Sequence, residues 1–240
     1  MTNPTAAMLV IGDEILSGRT RDSNMHYLAG ELTKAGIDLR EVRVISDDAE
    51  AIETAVRTLS RTHDTVFTSG GIGPTHDDIT ADCIARAFDR SIDVREDARA
   101  ILETHYQRTG QDLNEARLRM ARIPEGAHLI DNPVSAAPGF TLENVHVMAG
   151  VPAVFQTMVA SVLPTLVGGE PLMSQSLRIM RGEGEIAGPL RTLASEFPDL
   201  SFGSYPFQTD GVFGAQIVIR GSDGARVDAA MKRLCEAFGQ

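Results

Sequence analysis

The chain opens on a continuous apolar run, residues 6–11, stopped by Gly12, Asp13 and Glu14. Such a run is the pattern of a strand covered on both faces. From Asn24 the apolar residues Met25, Leu28, Ala29, Leu32 and Ala35 recur at helical spacing, with Asp22, Ser23 or Asn24 able to cap the start and Gly36 to stop the end. The succession of strand, loop and helix returns twice. Residues 38–45 read as a strand, Asp47 and Asp48 as caps, and Ile52, Ala55, Val56 and Leu59 as one helix face. Residues 65–68 read as a third strand, 69–78 as a loop, and Ile79, Cys83, Ile84, Ala87 and Phe88 as the next helix face. Three such units predict right-handed crossovers and a mostly parallel sheet between helical layers.

Further on the pattern loosens. Residues 96–121 are helical in period, broken at Gly110, and 123–140 are loop-rich, with Pro124, Gly126, Pro133, Pro138 and Gly139 interrupting short apolar pieces, of which 127–130 reads as a strand. Residues 145–148 restore a strand, and Gly150, Val151 and Pro152 lead into a helix reaching about residue 163, with proline in its first turn. A cluster of breakers over 167–171 predicts a boundary, giving an α/β domain over 1–168 and a small α+β domain over 169–240. The small domain reads β-α-β-β-α, with strands at 176–180, 200–207 and 212–220 and helices at 186–197 and 225–238.

Composition narrows the function classes. Hydrophobic residues are 42% and charged residues 23% of 240, enough for a sizeable core. With 22 Lys plus Arg against 33 Asp plus Glu, a net charge of -11, no Trp and 5% aromatics, neither a nucleic-acid surface nor an anionic-membrane surface is expected. Residues 6–11 fall far short of the about 20 apolar residues that span a bilayer. No Lys or Arg precedes Arg19 to make a signal-peptide start, so neither export nor anchoring is expected. Cys83 and Cys235 form no Cys-x-x-Cys pair, which fits a reducing cytoplasm.

Chemistry concentrates at the carboxyl ends of the predicted strands, where open α/β sheets bind ligands. The first strand is followed by residues 12–24, the second by Asp47 and Asp48, the third by Ser69, Gly70, Gly71, Ile72, Gly73, Pro74, Thr75, His76, Asp77 and Asp78, and the last by Gly150, Val151 and Pro152. Each loop opens a helix, so free N–H groups and helix dipoles converge on one rim suited to phosphate. Three glycines in four positions let the backbone approach a ligand. The same rim carries Asp13, Glu14, Asp47, Asp48, Asp77 and Asp78. Any one of these acids is better explained as a helix cap. Together they oppose an incoming diphosphate: like charges about 4 Å apart cost roughly 4 kcal/mol at an effective dielectric of about 20, against about 0.3–1 kcal/mol from each helix dipole. A divalent cation reverses that balance, and oxygen-only ligands point to Mg²⁺ or Mn²⁺. Arg19, Arg21 and His76 are candidates to touch phosphate or ribose. The other five histidines and Cys83 read as surface or packing residues, and residues 182–188 as a plain helix start.

The segments 12–18, Asp22-Ser23-Asn24, 70–78, Asn132-Pro133-Val134 with Ala137-Pro138-Gly139-Phe140, and Gly150-Val151-Pro152 resemble the molybdopterin-binding domain, most closely the amino-terminal part of the competence/damage-inducible protein A (CinA) family. The resemblance covers essentially the whole chain. It implies a three-layer α/β/α sandwich that binds a pterin phosphate or a nucleotide diphosphate. It further implies that Asp47 and Asp78 hold the metal and serve the reacting phosphate. The ligand would be bound by Gly12, Asp13, Glu14, Gly18, Arg19, Asp22, Ser23, Asn24, Ser69, Gly70, Gly71, Gly73, Pro74, Thr75, His76, Pro138, Gly139, Gly150, Val151 and Pro152. A homodimer is also implied. The carboxyl-terminal deamidase domain of longer members is not expected, because the chain ends where it would begin. The sequence departs from the adenylyltransferase branch at Ile72, where Thr is usual, and at His76-Asp77, where basic residues are more typical. Resemblance to the CinA-like branch implies metal-dependent hydrolysis of the pyrophosphate bond of ADP-ribose or a related nucleotide diphosphate, and these departures tilt the expectation toward it, with adenylylation of molybdopterin and non-catalytic pterin or nucleotide binding as alternatives.

Overall fold

Strand β1, Thr5–Ile11, is buried from Ala6 onward, and its side chains alternate between two cores. Ala7, Leu9 and Ile11 meet Ile52, Ala55, Val56 and Leu59, whereas Ala6, Met8 and Val10 meet Leu28, Leu32, Phe155 and Met158. A strand with a core on each face needs no polar position, which is why its sequence is uninterrupted. The structure is a computed structural model, described for residues 3–209 and 211–239. It divides into two units, 1–169 and 170–240.

In the first unit β1 is followed by α1 (Asp13–Leu16), α2 (Asn24–Lys34), β2 (Asp38–Ile45), α3 (Ala49–Thr62), β3 (Thr65–Ser69) and α4 (Thr80–Ala87). Then come β4 (Ile92–Val94), α5 (Glu96–Thr109), α6 (Glu115–Leu118), β5 (Arg122–Pro124), β6 (His128–Ile130), β7 (Gly139–Leu142), β8 (Val145–Met148) and α7 (Pro152–Val162). The main sheet has the order β2-β1-β3-β8-β7-β6. Strands β2, β1, β3 and β8 are parallel, and β7 and β6 run antiparallel to their neighbours. Helices α2 and α7 cover one face, and α3, α4 and α5 the other. This is the mostly parallel, three-layer architecture expected.

Two features were not foreseen. The pair of β4 with β5 and the antiparallel return of β6, β7 and β8 lie in stretches whose strands are three or four residues long. Pieces that short carry no period to read.

Strand order sets the place of the site. From β1 the chain crosses to β2 on one side and then to β3 on the other. The loops leaving β1 and β3 therefore part at the carboxyl edge, and a crevice opens between them.

The second unit runs β9 (Met173–Ile179), α8 (Glu183–Glu196), β10 (Ser201–Thr209), β11 (Val212–Gly221) and α9 (Gly224–Phe238), with an antiparallel sheet ordered β10-β11-β9. Ala215, Ile217 and Ile219 of the central strand pack on Ile186, Leu193, Val227, Ala230 and Leu234. Among the described residues no helix is long and apolar enough to cross a membrane.

Candidate functional site

The loops that follow β1, β2, β3 and β8 enclose a cleft of about 560 Å³ at the carboxyl edge of the sheet. Its floor is the glycine turn. Gly70 has φ +113 and Gly71 φ +70, and a Cβ on them would lie 2.2 Å from the Ile11 carbonyl oxygen and 2.1 Å from Thr80 Oγ1. No other residue allows both the positive φ and this approach. Thr80 locks the turn from behind, its N–H donating to the Gly71 oxygen and its hydroxyl to the Gly70 oxygen, both at 3.0 Å. Gly70 spends its N–H on the Met148 oxygen. The N–H groups of Gly71, Ile72 and Gly73 have no acceptor among the described residues. All three residues line the cleft.

Acids surround this floor. Glu14, Asp47, Asp77 and Asp78 line the cleft, and no Lys, Arg or His does. Asp47 Oδ2 accepts the Asp13 N–H at 3.0 Å. Burial raises the Asp47 carboxyl above the ordinary carboxylate range; the Asp13 N–H opposes this, and the charges of Asp13, Glu14 and Asp77 add to it. Asp78 is fixed by Thr75, whose N–H and hydroxyl both donate to its Oδ2, at 2.8 and 2.5 Å. Asp48 is a cap, accepting from the Ala51 N–H, and Asp22 accepts from the Met25 N–H in the first turn of α2.

Of the residues expected at the site, the cleft brings together Gly12, Glu14, Asp47, Gly70, Gly71, Gly73, Asp78, Gly150, Val151 and Pro152. Asp22, Ser23, Asn24 and Ser69 line an adjoining recess with Arg21. That recess shares Ile11, Glu14, Thr20, Gly150 and Pro152 with the cleft. Asn24 is a structural tie there: it is 3% exposed, and its Nδ2 donates to Ser69 Oγ and to the Gly150 oxygen, both at 2.8 Å. Pro138 lines a second small recess with Gly71, Gly73 and Asp78.

The others stand apart from these walls. Arg19 is exposed, with its Nε on Ser17 Oγ, and His76 is 98% exposed beside Asp77. Gly18 and Pro74 lie in exposed turns, Gly139 is buried in β7, Asp13 contributes its N–H, and Thr75 acts through Asp78. The expectation that Arg19 and His76 reach the ligand thus meets side chains that run out to solvent. The expected ligand-binding residues leave out Thr20, Met120, Asn132, Ser135 and Ala137, which line the cleft, although Asn132 and Ala137 stand in the segments that carry the resemblance. Asn132 shapes that turn: its buried side chain accepts from the N–H groups of Val134 and Ser135 and donates to the Ala137 oxygen.

No group of three or more His, Cys, Asp or Glu side chains placed to hold an ion occurs among the described residues. A hydrated Mg²⁺ or Mn²⁺ held by one or two carboxylates and completed by phosphate oxygens fits the two cleft acids Asp47 and Asp78.

Comparison with known proteins places this geometry. Residues 7–168 match the family model described as a probable molybdopterin binding domain, and residues 171–240 match the middle domain of FAD synthase. A CinA-like protein of Citrifermentans bemidjiense is 39% identical over 68% of this chain and 40% of its own length. A probable FAD synthase of Caenorhabditis elegans is 32% identical over 97% of this chain and 49% of its own length. The solved structure of the protein CinA, of unknown function, from Thermoplasma acidophilum superposes with a TM-score of 0.62 at 33% identity, over 67% of this chain and 98% of that one. The chain belongs to the molybdopterin-binding domain family, on its CinA-like side.

Proposed function

We propose that the cleft binds a nucleotide diphosphate and that the chain hydrolyses its pyrophosphate bond with a divalent cation. ADP-ribose or a related dinucleotide is the substrate class. One observation carries the reading: the Gly71, Ile72 and Gly73 N–H groups, without acceptors, line the same cleft as Asp47 and Asp78. Three free amides on a fixed turn suit phosphate oxygens, and positioning with electrostatics is most of what phosphoryl transfer asks of a protein.

In this mechanism the glycine turn holds the non-reacting oxygens, and its conformation is set in advance by Thr80. Asp47 and Asp78 hold Mg²⁺ or Mn²⁺, which supplies neutralisation of the phosphate charge. Thr75 keeps the Asp78 carboxylate in place against that charge, and the Asp13 N–H does the same for Asp47. Asn24 ties the start of α2 to the end of β3 and to the loop after β8, which holds these parts of the wall together.

Nucleotidyl transfer is the second reading, favoured by the relative named a probable FAD synthase and by the match of residues 171–240. The two readings separate by product. The purified chain is incubated with Mg²⁺ or Mn²⁺ and ADP-ribose or FAD, and separately with ATP and molybdopterin. AMP released from ADP-ribose or FAD supports hydrolysis, and adenylylated pterin supports transfer. Binding without turnover in every arm sinks both and leaves a carrier or sensor. The homodimer is likewise a proposal, which a monomeric mass in solution retires.

A further inference from the structure

The cleft that we assign to a diphosphate has four carboxylates and no cationic side chain in its lining. Immediately beyond Asp78 lies a recess of about 20 Å³ that shares Gly71, Ile72, Gly73, Asp78 and Met120 with the cleft and adds Arg119 and Arg122. Both arginines have a buried Nε without a partner, and they differ in their charge partners. Arg122 is paired with the Asp82 carboxylate. Arg119 makes no ion pair among the described residues; it donates from Nη2 to the main-chain oxygen of Asp78 at 3.4 Å, and its buried Nε has no partner.

A half-buried guanidinium with one long hydrogen bond has lost water without gaining a counter-charge. Its planar fork of five donors is shaped for two oxygens of a carboxylate or phosphate. The Asp78 carboxylate does not fill that role: Arg119 reaches only its main-chain oxygen and forms no ion pair with its side chain. A recess of this size holds about one water and no phosphate, so an anion held at the glycine turn sits on its cleft side; Arg119 and Arg122 also line a separate open pocket beside Glu115.

We propose that Arg119 is the cation that holds the substrate's diphosphate at the glycine turn, reaching it from the wall beyond Asp78. The assignment rests on the diphosphate reading of the cleft and deepens it: the substrate must present a phosphate oxygen toward Asp78 as well as toward Gly71 and Gly73. Arg119 thereby does what the sequence suggested for Arg19 and His76.

The test separates charge from scaffold. Inorganic pyrophosphate is titrated calorimetrically with Mg²⁺ into the full chain and into Arg119→Lys and Arg119→Gln, at low and high salt, with melting temperatures measured alongside. Gln stays polar but carries no charge. Arg119→Lys keeps the charge but not the fork and should lose part of the affinity, and Arg119→Gln should lose more, about tenfold or above, the usual size of a charged hydrogen bond, with a flatter salt dependence and an unchanged melt. Equal affinity in Arg119→Gln and the wild type overturns the proposal, as do equal losses in both variants or no pyrophosphate binding by the wild type. ADP-ribose turnover, run in parallel, keeps the two ideas apart. Pyrophosphate binding that depends on Arg119 without turnover removes hydrolysis and leaves the arginine. Turnover with a KM indifferent to Arg119→Gln does the reverse.

Discussion

The main-chain N–H of Asp13 donates to Oδ2 of Asp47 at 3.0 Å, so the loops after β1 and β2 are joined by the carboxylate that burial holds above its ordinary range. For an acid whose folded pKa is raised, the contribution to stability is fully present below the unfolded value and is lost as pH rises through the folded one. At pH 7 the Asp47 charge therefore works against the fold. Asp47→Asn keeps an acceptor for Asp13 and should melt at or above the wild type at pH 7, while losing the stabilisation by Mg²⁺ that binding to the folded state confers. A variant that melts well below the wild type at pH 7 would show that the charge supports the fold.

Asp78→Asn should leave the fold intact and lower turnover by about 10² or more, the scale of one key electrostatic element. Circular dichroism and AMP release from ADP-ribose measure the two halves. Wild-type turnover would remove Asp78 from the mechanism.

Gly71→Ala forces a Cβ to within 2.1 Å of Thr80 Oγ1 at φ +70. The left-handed conformation alone costs about 1–2 kcal/mol, and the collision disturbs the Thr80 bonds that shape the turn. Lower urea stability together with weaker pyrophosphate binding is expected. Unchanged values for both would mean that the turn is not held as described.

Asn24→Leu removes both donors from a buried tie and leaves Ser69 Oγ and the Gly150 oxygen unsatisfied, at about 1–3 kcal/mol. Its neighbour Ser23 makes no capping bond, and Ser23→Ala should stay within about 0.5 kcal/mol of the wild type. Equal effects in urea denaturation would contradict the assignment of the tie to Asn24.

His146 sits in the sheet between the hydroxyls of Thr65 and Thr141, both at 2.9 Å, and burial pushes its pKa down from 6.5 to about 4. Above pH 6.5 the ring is neutral folded or unfolded, and its contribution is complete. Between 6.5 and about 4 the unfolded chain takes a proton that the folded chain refuses, so stability falls as pH drops, by roughly 3 kcal/mol in all. Urea midpoints at several pH values should show this slope in the wild type and not in His146→Gln. Parallel slopes would place the loss on other groups.

Much of the fold is legible where the period is long. The helix face of Ile52, Ala55, Val56 and Leu59 is buried as its spacing says, and Ala7 and Met8 fall to opposite cores as their alternation requires. The site is legible where geometry is local: Gly70 and Gly71 mark the turn, and Asp78 closes it through Thr75 three residues away. It is least legible in its cations. Arg19 and His76 are close to the turns in sequence and stand in solvent, whereas Arg119 reaches the Asp78 oxygen from 41 residues away, on a short helical turn without a motif.

Local order alone determined the longer strands and helices and the glycine turn, because each is decided by neighbours within a few residues whose apolar spacing or φ preference leaves one solution. Tertiary structure decided the crossing from β2 back over β1 to β3, and with it the meeting of Glu14, Asp47, Asp78 and Gly150 around one cleft. The physical reason is that strand order follows from which faces can be covered simultaneously. That is a property of the packed whole, written in no single segment.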